Sequence, residues 1–425
     1  MSFALAFLPI VLLLLGFPIF LVLLASVSTA LVFFMQVPLS ALHQNLFGAI
    51  DAYALLAIPF FIFAGELMGR GSVAGRLVGF VNAGVGSVRG SLAVTTVGAS
   101  ALFGAISGVR AATVATIGRV MLPALRKNGY PEKFSAGLLT AVGAIDIIIP
   151  PSIPMIVYGA AAQQSVPRLY AAGILPGLLL ASLLCAYVMW YARRHKLSRG
   201  EPFSWVAFKN ATLRGLGALG APIIILGGIY GGVFSPTEAA AVACLYAIVV
   251  ARYFYRELSW RDIVASGATT AVFTGQILII VACASVFGWL LTVNQVPAAI
   301  VEWLTGMQLP SWSLLLAINV LLLIVGCFID PLSAILLLSP LLVPLVTAIG
   351  VDPIHFGIIV TVNLSIGLFH PPFGINIFVA QSVLKLPLET IYRGIVPFVF
   401  IYLFALGLIT YIPEISLVGA RLMFG

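Results

Sequence analysis

Two short segments of the sequence combine a double proline with polar residues inside otherwise apolar runs. The first contains Asp146, Pro150-Pro151 and Ser152, and the second contains His370 and Pro371-Pro372. Proline cannot donate a backbone hydrogen bond and disfavours helix in the residue before it, so each segment predicts an interrupted helix with free carbonyl groups. Free carbonyls and helix C-termini suit a cation such as Na⁺, whereas helix N-termini suit an anion. The pattern favours a binding centre, with a pair of structural kinks as the alternative interpretation.

The composition indicates the surroundings of these segments. Of the 425 residues, 62% are hydrophobic and 8% are charged, whereas ordinary soluble domains carry about 25% charged residues. This composition excludes a soluble globular protein, a disordered chain and a disulfide scaffold. The formal net charge of +8 does not indicate nucleic-acid binding, because several of the basic residues lie at the ends of apolar runs, where they report orientation. The sequence predicts an all-α polytopic membrane protein.

The cysteines predict no cofactor. They are scattered singly through apolar stretches, with neither the spacing of metal ligands nor a disulfide pattern, and are interpreted as small core residues. These residues are Cys185, Cys244, Cys283 and Cys327.

Apolar runs of about 20 residues are needed to cross the hydrocarbon core. The basic loop 193–214 is the strongest cytoplasmic marker, and no Lys or Arg occurs between Arg261 and Lys385, so exposed ends in that interval are expected outside. The predicted crossings are 3–16, 18–35, 53–69, 134–165, 168–192, 215–233, 237–256, 262–293, 353–384 and 388–412.

Residues 90–125 do not read as a simple crossing. Basic residues flank both ends, and the centre, 104–108, is small and flexible. Arms of about 14 residues would reach only about 20 Å, short of the roughly 30 Å core, which predicts a re-entrant hairpin with its tip near mid-membrane. Two tightly packed full spans are the alternative. Residues 310–349 predict a second hairpin, with its tip at 326–331.

The halves of the chain match at a displacement of 221 positions, which aligns Pro150-Pro151 with Pro371-Pro372. The basic residues near 126–133 correspond to uncharged ones near 347–354, so the positive-inside rule places equivalent loops on opposite faces. The sequence therefore predicts two inverted-topology repeats, each with a re-entrant hairpin and a broken helix. Repeat one covers 1–192, a cytoplasmic linker covers 193–214 and repeat two covers 215–412. Hairpins and broken helices would form a transport unit, interleaved with a scaffold built from 1–35, 168–258 and lateral helices near 39–52 and 295–309.

Several motifs resemble the large membrane subunit (M subunit) of tripartite ATP-independent periplasmic (TRAP) transporters over essentially the whole chain. The resemblance implies Na⁺-coupled, elevator-type import of an organic acid anion, such as a C4-dicarboxylate or sialic acid, and no enzymatic activity. It also implies the bacterial inner membrane with its lipids, a periplasmic substrate-binding protein (P subunit) and a small four-helix membrane subunit (Q subunit). The motifs are LFGAISGVRAATVATIG at 102–118, IIIPPSIPMIVYG at 147–159, GGIYGGVFSPTEAAA at 227–241, residues 326–344, and GLFHPPFGINIFVA at 367–380.

The resemblance also implies site residues, position by position. One Na⁺ site would join the first hairpin tip to the first break, and the other would join the second tip to the second break. Substrate would contact both tips and the first break. The Na⁺ residues are Ser100, Gly104, Gly143 and Pro150 at the first site, and Gly326, Thr361, Gly367 and His370 at the second. The substrate residues are Ser107, Ser152 and Asp330, to which Arg110 is added as a hypothesis although the family lacks it.

Three residues depart from the family pattern: Arg110 where small residues are usual, Asp146 where glycine is usual, and His370 where a Thr-like residue is usual. Charges inside a membrane are costly and normally have a partner or a function. We therefore hypothesise an ion pair between Arg110 and Asp146, in which Arg110 either replaces a cation or binds the substrate carboxylate. A purely structural pair is the alternative. For His370 we hypothesise a role in proton coupling. A neutral hydrogen bond in the core is the alternative.

Three other functions compete with this interpretation. A dicarboxylate or citrate carrier of related architecture would transport without a binding protein. A pore-forming channel would give single-channel currents rather than saturable uptake. An intramembrane hydrolase is disfavoured, because the sequence has neither a His-Glu-x-x-His motif nor a Gly-x-Ser-x-Gly elbow.

Overall fold

The computed structural model describes residues 2–35, 37–107, 110–306 and 309–425. Within these ranges the chain is helical, and the only β-type pairing is an isolated bridge between Arg89 and Arg199. The predicted all-α class is confirmed.

Within the described residues, the first half of the chain contains ten α-helices, with a short 3₁₀ turn at Tyr53–Leu56 before the fourth. They are α1 (Ser2–Leu14), α2 (Ile19–Phe34), α3 (Leu39–Ile50), α4 (Ala57–Arg70), α5 (Val73–Val85), α6 (Ser91–Ser107), α7 (Arg110–Lys127), α8 (Glu132–Val142), α9 (Ile153–Ala162) and α10 (Val166–Arg194).

The second half contains ten more, with a π-helical turn at Val250–Phe254 after the second. They are α11 (Trp205–Tyr230), α12 (Pro236–Val249), α13 (Trp260–Val293), α14 (Val296–Gly306), α15 (Ser311–Phe328), α16 (Pro331–Ala348), α17 (Pro353–Gly367), α18 (Ile375–Leu384), α19 (Leu388–Tyr411) and α20 (Glu414–Phe424).

The order of elements repeats between the halves. Helices α15 to α19 begin 220 to 222 residues after α6 to α10, respectively. The long helix α13 corresponds in the same register to α3, the 3₁₀ turn and α4. The opposite orientation of the two copies, the division into repeats and linker, and the interleaved scaffold and transport units stay predictions.

Among the residues that the structure describes, eight helical segments are long and apolar enough to cross a membrane by length and composition. Six of them lie on predicted crossings: Tyr53–Arg70, Val166–Arg194, Trp205–Tyr230, Pro236–Phe254, Trp260–Val293 and Leu388–Tyr411. The short helices α5 and α20 were not among the predicted elements.

The hairpin arms are longer than predicted. We call α6 and α7 the first hairpin and α15 and α16 the second; α6 has 17 residues and the other three arms have 18 each. At 1.5 Å per residue each arm reaches about 26 Å rather than about 20 Å. Two arms, Ser311–Phe328 and Pro331–Ala348, are among the segments long enough to cross, so full spans stay open beside re-entrance. The prediction was short because α6 runs on through Gly104, whose packing overrides the low helix propensity of glycine.

Both double prolines interrupt a helix where the sequence predicts it. The first interruption covers residues 143–152, between α8 and α9, and the second covers 368–374, between α17 and α18. The bonds Pro150–Pro151 and Pro371–Pro372 are both cis.

The two halves pack through their interrupted helices. Helix α19 lies along α8, and α10 lies against α17, so each broken helix is supported by a long helix from the other half. Gly137 and Gly394 allow the closest approach, because a Cβ on either glycine would overlap the backbone of the other helix. The candidate site therefore lies at the junction of the halves.

Candidate functional site

The first interruption is enclosed by the first hairpin. Gly104 on α6 lies against Asp146, and a Cβ on Gly104 would be 2.5 Å from the Asp146 Cβ. From the other arm, the Thr113 hydroxyl donates a hydrogen bond to Asp146 Oδ2 over 2.8 Å. Asp146 is fully buried. Both arms of the hairpin therefore contact one residue of the interruption, and Thr113 bonds its carboxylate.

The C-terminal end of α8 points toward polar groups from the second half of the chain. Gly143 is the C-cap of α8. The Tyr402 hydroxyl, on α19, donates to the Ala141 carbonyl over 2.7 Å. The Asn376 Nδ2, on α18, lies 3.2 Å from where a Cβ on Gly143 would be. The negative end of the α8 dipole and its remaining carbonyls give this region the character of a cation site.

Two buried polar side chains border this region without a hydrogen bond to the part of the chain that the structure describes. They are Ser100, one turn before Gly104 on α6, and Asn376, whose amide nitrogen and oxygen are both without such a partner. Buried polar groups normally have partners, so each of these two side chains is a candidate ligand for a bound ion. Ser100 is a predicted site residue. Asn376 was missed, although it follows the second double proline by four positions, because a single Asn in an apolar run carries no periodic signal.

The remaining predicted residues of the first interruption serve local structure. Ser152 is the N-cap of α9, where its hydroxyl donates to the Ile147 carbonyl over 2.5 Å and accepts from the Met155 amide over 3.4 Å. Pro150 forms the cis bond with Pro151. The N-terminus of α9 nevertheless has the positive end of a helix dipole, which favours an anion nearby.

At the second interruption, Gly326 and Gly367 bring two backbones into contact. A Cβ on Gly367 would overlap the backbone of Gly326, near the end of the first arm of the second hairpin. The structure therefore brings together the tip and the interruption that the sequence paired. Thr361 lies apart from them, six residues before the end of α17, and its hydroxyl donates to the Gly357 carbonyl over 2.7 Å.

Asp330 caps α16. Its Oδ2 accepts from the amides of Leu332 and Ser333 over 3.1 and 3.2 Å, and its Oδ1 accepts from the Ser333 hydroxyl over 2.5 Å. This carboxylate occupies the anion position at the helix N-terminus. It also lines a small cavity of about 120 Å³ with Gln276 of α13, so the second hairpin tip faces α13.

His370 forms a close pair with a cysteine of the second hairpin. Its Nδ1 lies 3.1 Å from the Sγ of Cys327, and both residues belong to the second tip and interruption. The interruption is accessible here: His370 and Pro371 are half-buried, and Pro372 and Phe373 are exposed. The sequence indicates that Cys327 is a core residue, and only the fold reveals its contact with His370.

A buried polar cluster in the second half was also missed. Asn363 Nδ2 donates to Asn319 Oδ1 over 2.7 Å, and Asn319 Nδ2 donates to the Thr410 hydroxyl over 3.1 Å. The His355 Nε2 lies 3.3 Å from the Thr410 carbonyl. Comparison of the two halves at a displacement of 221 positions does indicate this cluster, because Asn319 and Asn363 are polar where the first half has Gly98 and Val142.

Two of the predicted substrate residues, Ser107 and Arg110, have side chains outside the described residues. The hypothesised pair between Arg110 and Asp146 therefore stays a prediction.

A larger cavity lies between α16 of the second hairpin and α13. Its volume is about 430 Å³, and α3 and α13 line one side while α9 and α16 line the other. Its polar lining includes Gln163, Ser285 and Thr292. Across the described residues, no group of three or more His, Cys, Asp or Glu side chains comes together.

Comparison with known proteins agrees with the motifs. The profile of the family described as "Tripartite ATP-independent periplasmic transporter, DctM component" matches residues 6–415. The chain is 42% identical over 380 residues to the C4-dicarboxylate TRAP transporter large permease protein DctM of Pseudomonas aeruginosa, covering 89% of this chain and 88% of the relative. It is 38% identical to the ectoine/5-hydroxyectoine large permease protein UehC of Ruegeria pomeroyi over 98% of this chain and 97% of the relative.

A third relative is longer than this chain. The isethionate TRAP transporter permease protein DctMQ of Oleidesulfovibrio alaskensis is 40% identical over 90% of this chain, which spans 60% of the relative's length. Among solved structures, the Alcanivorax borkumensis YdaH transporter superimposes with a TM-score of 0.68 over 95% of this chain and 98% of that one, at 16% identity. That similarity supports the fold alone.

Proposed function

The chain belongs to the DctM family, the large membrane component of tripartite ATP-independent periplasmic transporters, and we propose that it imports an organic acid anion by Na⁺-coupled elevator transport. It is a multi-pass protein of the inner membrane, and its relatives are named as transporter permeases rather than as enzymes. The coupling cation, the elevator mechanism, the substrate and the partner subunits are proposals.

One observation carries the proposal: each interrupted helix is contacted by the tip region of its neighbouring hairpin. Gly104 meets Asp146 at the first interruption, and Gly326 meets Gly367 at the second. Helix C-termini and interrupted backbone inside a membrane are tolerated where they bind ions or line a cavity. The twofold occurrence supports two cation sites over structural kinks.

The first cation site would use Ser100 and the α8 end near Gly143, with Asn376 as an added ligand from the second half. Ser100 and Asn376 supply buried oxygens without partners in the described chain. The second would use the backbone around Gly326 and Gly367, with His370 beside it. Thr361 would contribute less directly to the second cation site, since its hydroxyl donates to the Gly357 carbonyl within α17.

The substrate would bind between the hairpin tips and the interruptions. Helix N-termini at Ser152 and Gly374 favour an anionic group, and Arg110 would add a bidentate partner for a carboxylate. The C4-dicarboxylate and isethionate named for two relatives are both organic acids, whereas the name of the third relative specifies ectoine. The two helix N-termini and Arg110 favour an acid.

The cavity of about 430 Å³ between α16 of the second hairpin and α13 supports relative movement of two units. Cation binding at the tips would order the anion site, so each ligand would raise affinity for the other. The family description implies a periplasmic binding protein and a small membrane subunit as partners.

Reconstitution in proteoliposomes tests the proposal. Purified chain is combined with the small subunit and binding protein from the same genome, and uptake of labelled organic acids is measured with an inward Na⁺ gradient. We expect saturable uptake that disappears when K⁺ replaces Na⁺. Uptake driven equally well by a proton gradient alone would contradict Na⁺ coupling and favour His370 as a proton carrier. Full uptake without the binding protein would instead support the independent carrier.

A further inference from the structure

A polar groove of about 570 Å³ lies between α5 and the first turns of α11. After Arg214 the next charged residue along the chain is Glu238, so the groove lies where α11 passes from polar to apolar sequence. We propose that this groove binds the phosphate headgroup of an anionic phospholipid such as phosphatidylglycerol. Its polar lining consists of Ser72, Arg76, Asn210 and Arg214.

Arg76 is held in place at one side of the groove. Its Nε donates to the Ser72 hydroxyl over 2.7 Å, and its Nη2 pairs with Glu257 over 3.0 Å. Its Nη1 donates to the Arg214 carbonyl over 3.4 Å, and the guanidinium lies 3.8 Å from the centre of the Tyr255 ring. A guanidinium has five N–H donors, so these contacts leave two donors for a ligand. Arg76 therefore offers positioned donors, while Glu257 balances its charge.

Arg214 supplies a positive charge that no acidic side chain balances in the part of the chain that the structure describes. Its guanidinium is exposed and has no hydrogen bond or ion pair there. Its carbonyl accepts from Arg76 and, over 3.1 Å, from the Tyr255 hydroxyl, so the backbone at this point is fixed. Asn210, one turn earlier on α11, adds amide donors to the same groove. Two guanidinium groups and an amide suit the oxygens of a phosphate.

The surroundings of the groove favour a lipid over a free phosphate ion. Trp205, the first residue of α11, has an exposed ring, and tryptophan is enriched at the headgroup level of membranes. Leu213 and Leu216 are exposed farther along the same helix, and such apolar side chains suit acyl chains. Basic pockets between membrane helices are typical sites for anionic lipid headgroups. A free ion would make no use of the apolar side chains.

The repeated fold does not require a basic groove at α5. At a displacement of 221 positions, the equivalents of Arg76 and Gly79 are Pro297 and Ile300. They belong to α14, which contains no basic residue. In the first half, by contrast, a Cβ on Gly79 would meet no atom within 4 Å, so the groove is open at this point of α5. The open space and the arginine beside it are therefore particular to the first half.

The first experiment measures lipid binding directly. The detergent-purified chain is titrated with phosphatidylglycerol or with zwitterionic phosphatidylcholine, and bound lipid is counted by native mass spectrometry. We expect preferential binding of one phosphatidylglycerol, weakened about fivefold by Arg214→Gln, the loss expected for one basic residue at an anionic lipid surface. Arg193→Gln removes an exposed arginine outside the groove and should change nothing. Equal binding of the two lipids, or binding unaffected by Arg214→Gln, overturns the proposal.

A second variant tests the groove without altering any charge. Gly79→Leu places a side chain in the open space, and it should fold because leucine has a higher helix propensity than glycine. We expect it to weaken phosphatidylglycerol binding at least as much as Arg214→Gln does. Gly275→Leu on α13 is the matched control, because a Cβ there also meets nothing within 4 Å. Unchanged lipid binding by Gly79→Leu contradicts a site in this groove.

A comparison with inorganic phosphate distinguishes the lipid from the free ion. Thermal unfolding of the chain in detergent is followed with either phosphatidylglycerol or inorganic phosphate at the same concentration. We expect the lipid to raise the Tm of the unsubstituted chain but not that of Arg214→Gln, and inorganic phosphate to leave both unchanged. An equal rise with inorganic phosphate, lost in Arg214→Gln, would assign the groove to the free ion and overturn the lipid assignment. None of these readouts depends on uptake, so they are independent of Na⁺ coupling.

Discussion

Gly104 on the first hairpin meets Asp146 in the first interruption with no room for an additional atom. A Cβ on Gly104 would lie 2.5 Å from the Asp146 Cβ and 2.6 Å from its Cα. Because the contact involves backbone on one side, a rotamer change cannot relieve the overlap. The hairpin tip and the interruption therefore hold a fixed relation, which is the relation a shared cation site needs.

The first prediction follows from this contact. Gly104→Ala should separate α6 from the interruption, lower the free energy of unfolding by about 1–3 kcal/mol and abolish Na⁺-dependent uptake. Thermal unfolding in detergent and uptake in proteoliposomes measure the two effects. Gly275→Ala is the matched control, because a Cβ there meets nothing within 4 Å; it should leave both values unchanged or raise stability slightly. Normal uptake by Gly104→Ala would show that this contact is dispensable.

The second prediction concerns Thr113, whose hydroxyl donates to the Asp146 carboxylate over 2.8 Å. Thr113→Val keeps the shape and removes the donor, so it should cost about 1.5–3 kcal/mol of stability, the range for hydrogen bonds to charged groups. It should also lower the apparent affinity for Na⁺ in uptake. Thr113→Ser retains the hydroxyl and should behave much like the unsubstituted chain. Equal Na⁺ dependence in the Val and Ser variants would separate Thr113 from the cation site.

The elements that break backbone hydrogen bonding were predictable from the sequence. The double prolines mark both interruptions because proline has a local effect that no neighbour can remove. The long membrane-crossing helices were also predictable, because their apolar composition is evident in the sequence. Helix ends near glycine were less predictable: α6 continues through Gly104, because contact with Asp146 stabilises the helix there.

Partners that lie far apart in the sequence were not predictable. Asn376 reaches the first interruption from the second half, and Cys327 meets His370 across 43 positions. Each is a single residue in an apolar run, so neither hydrophobic periodicity nor motif spacing identifies it. Their neighbours are set by how α18 and α15 pack, which depends on the whole fold.

The third prediction is a pH dependence outside the membrane-spanning segments. Glu257 follows the π-helical turn, where burial raises its pKa, but hydrogen bonds from the Ser72 hydroxyl and amide and from Arg76 outweigh this effect and lower the pKa. A lowered pKa in the folded state means that the stabilisation is present above the unfolded value of about 4.3 and is lost as the pH falls through the folded value.

Replacement of Glu257 tests this assignment. Glu257→Gln should lower thermal stability near neutral pH by about 1 kcal/mol or less, since the pair is partly exposed, and the difference from the unsubstituted chain should shrink as the pH falls below about 4. Glu389→Gln removes an exposed pair with Arg393 and should not change the pH profile. A constant difference between Glu257→Gln and the unsubstituted chain at all pH values would contradict a titrating carboxylate.

The fourth prediction concerns the polar cluster of Asn319, Asn363 and Thr410. Asn363 donates to Asn319, and Asn319 donates to Thr410, with all three side chains buried. Asn319→Leu or Asn363→Leu alone should cost about 1–3 kcal/mol, because each leaves buried polar groups without a partner. The double variant should cost less than the sum of the two, since it removes the Asn319–Asn363 hydrogen bond from both sides.

The first half of the chain explains why the double variant should still fold. Its equivalents of Asn319 and Asn363 are Gly98 and Val142, and the same hairpin and interrupted helix form around them. A double-mutant cycle by thermal unfolding gives the coupling energy, with Asn45→Leu, on the distant helix α3, as a control that should add independently to either substitution. Strict additivity of the Asn319 and Asn363 variants would mean that the two amides do not act as a unit. If uptake survives in the double variant, the cluster serves the stability of the second half and not the movement of substrate.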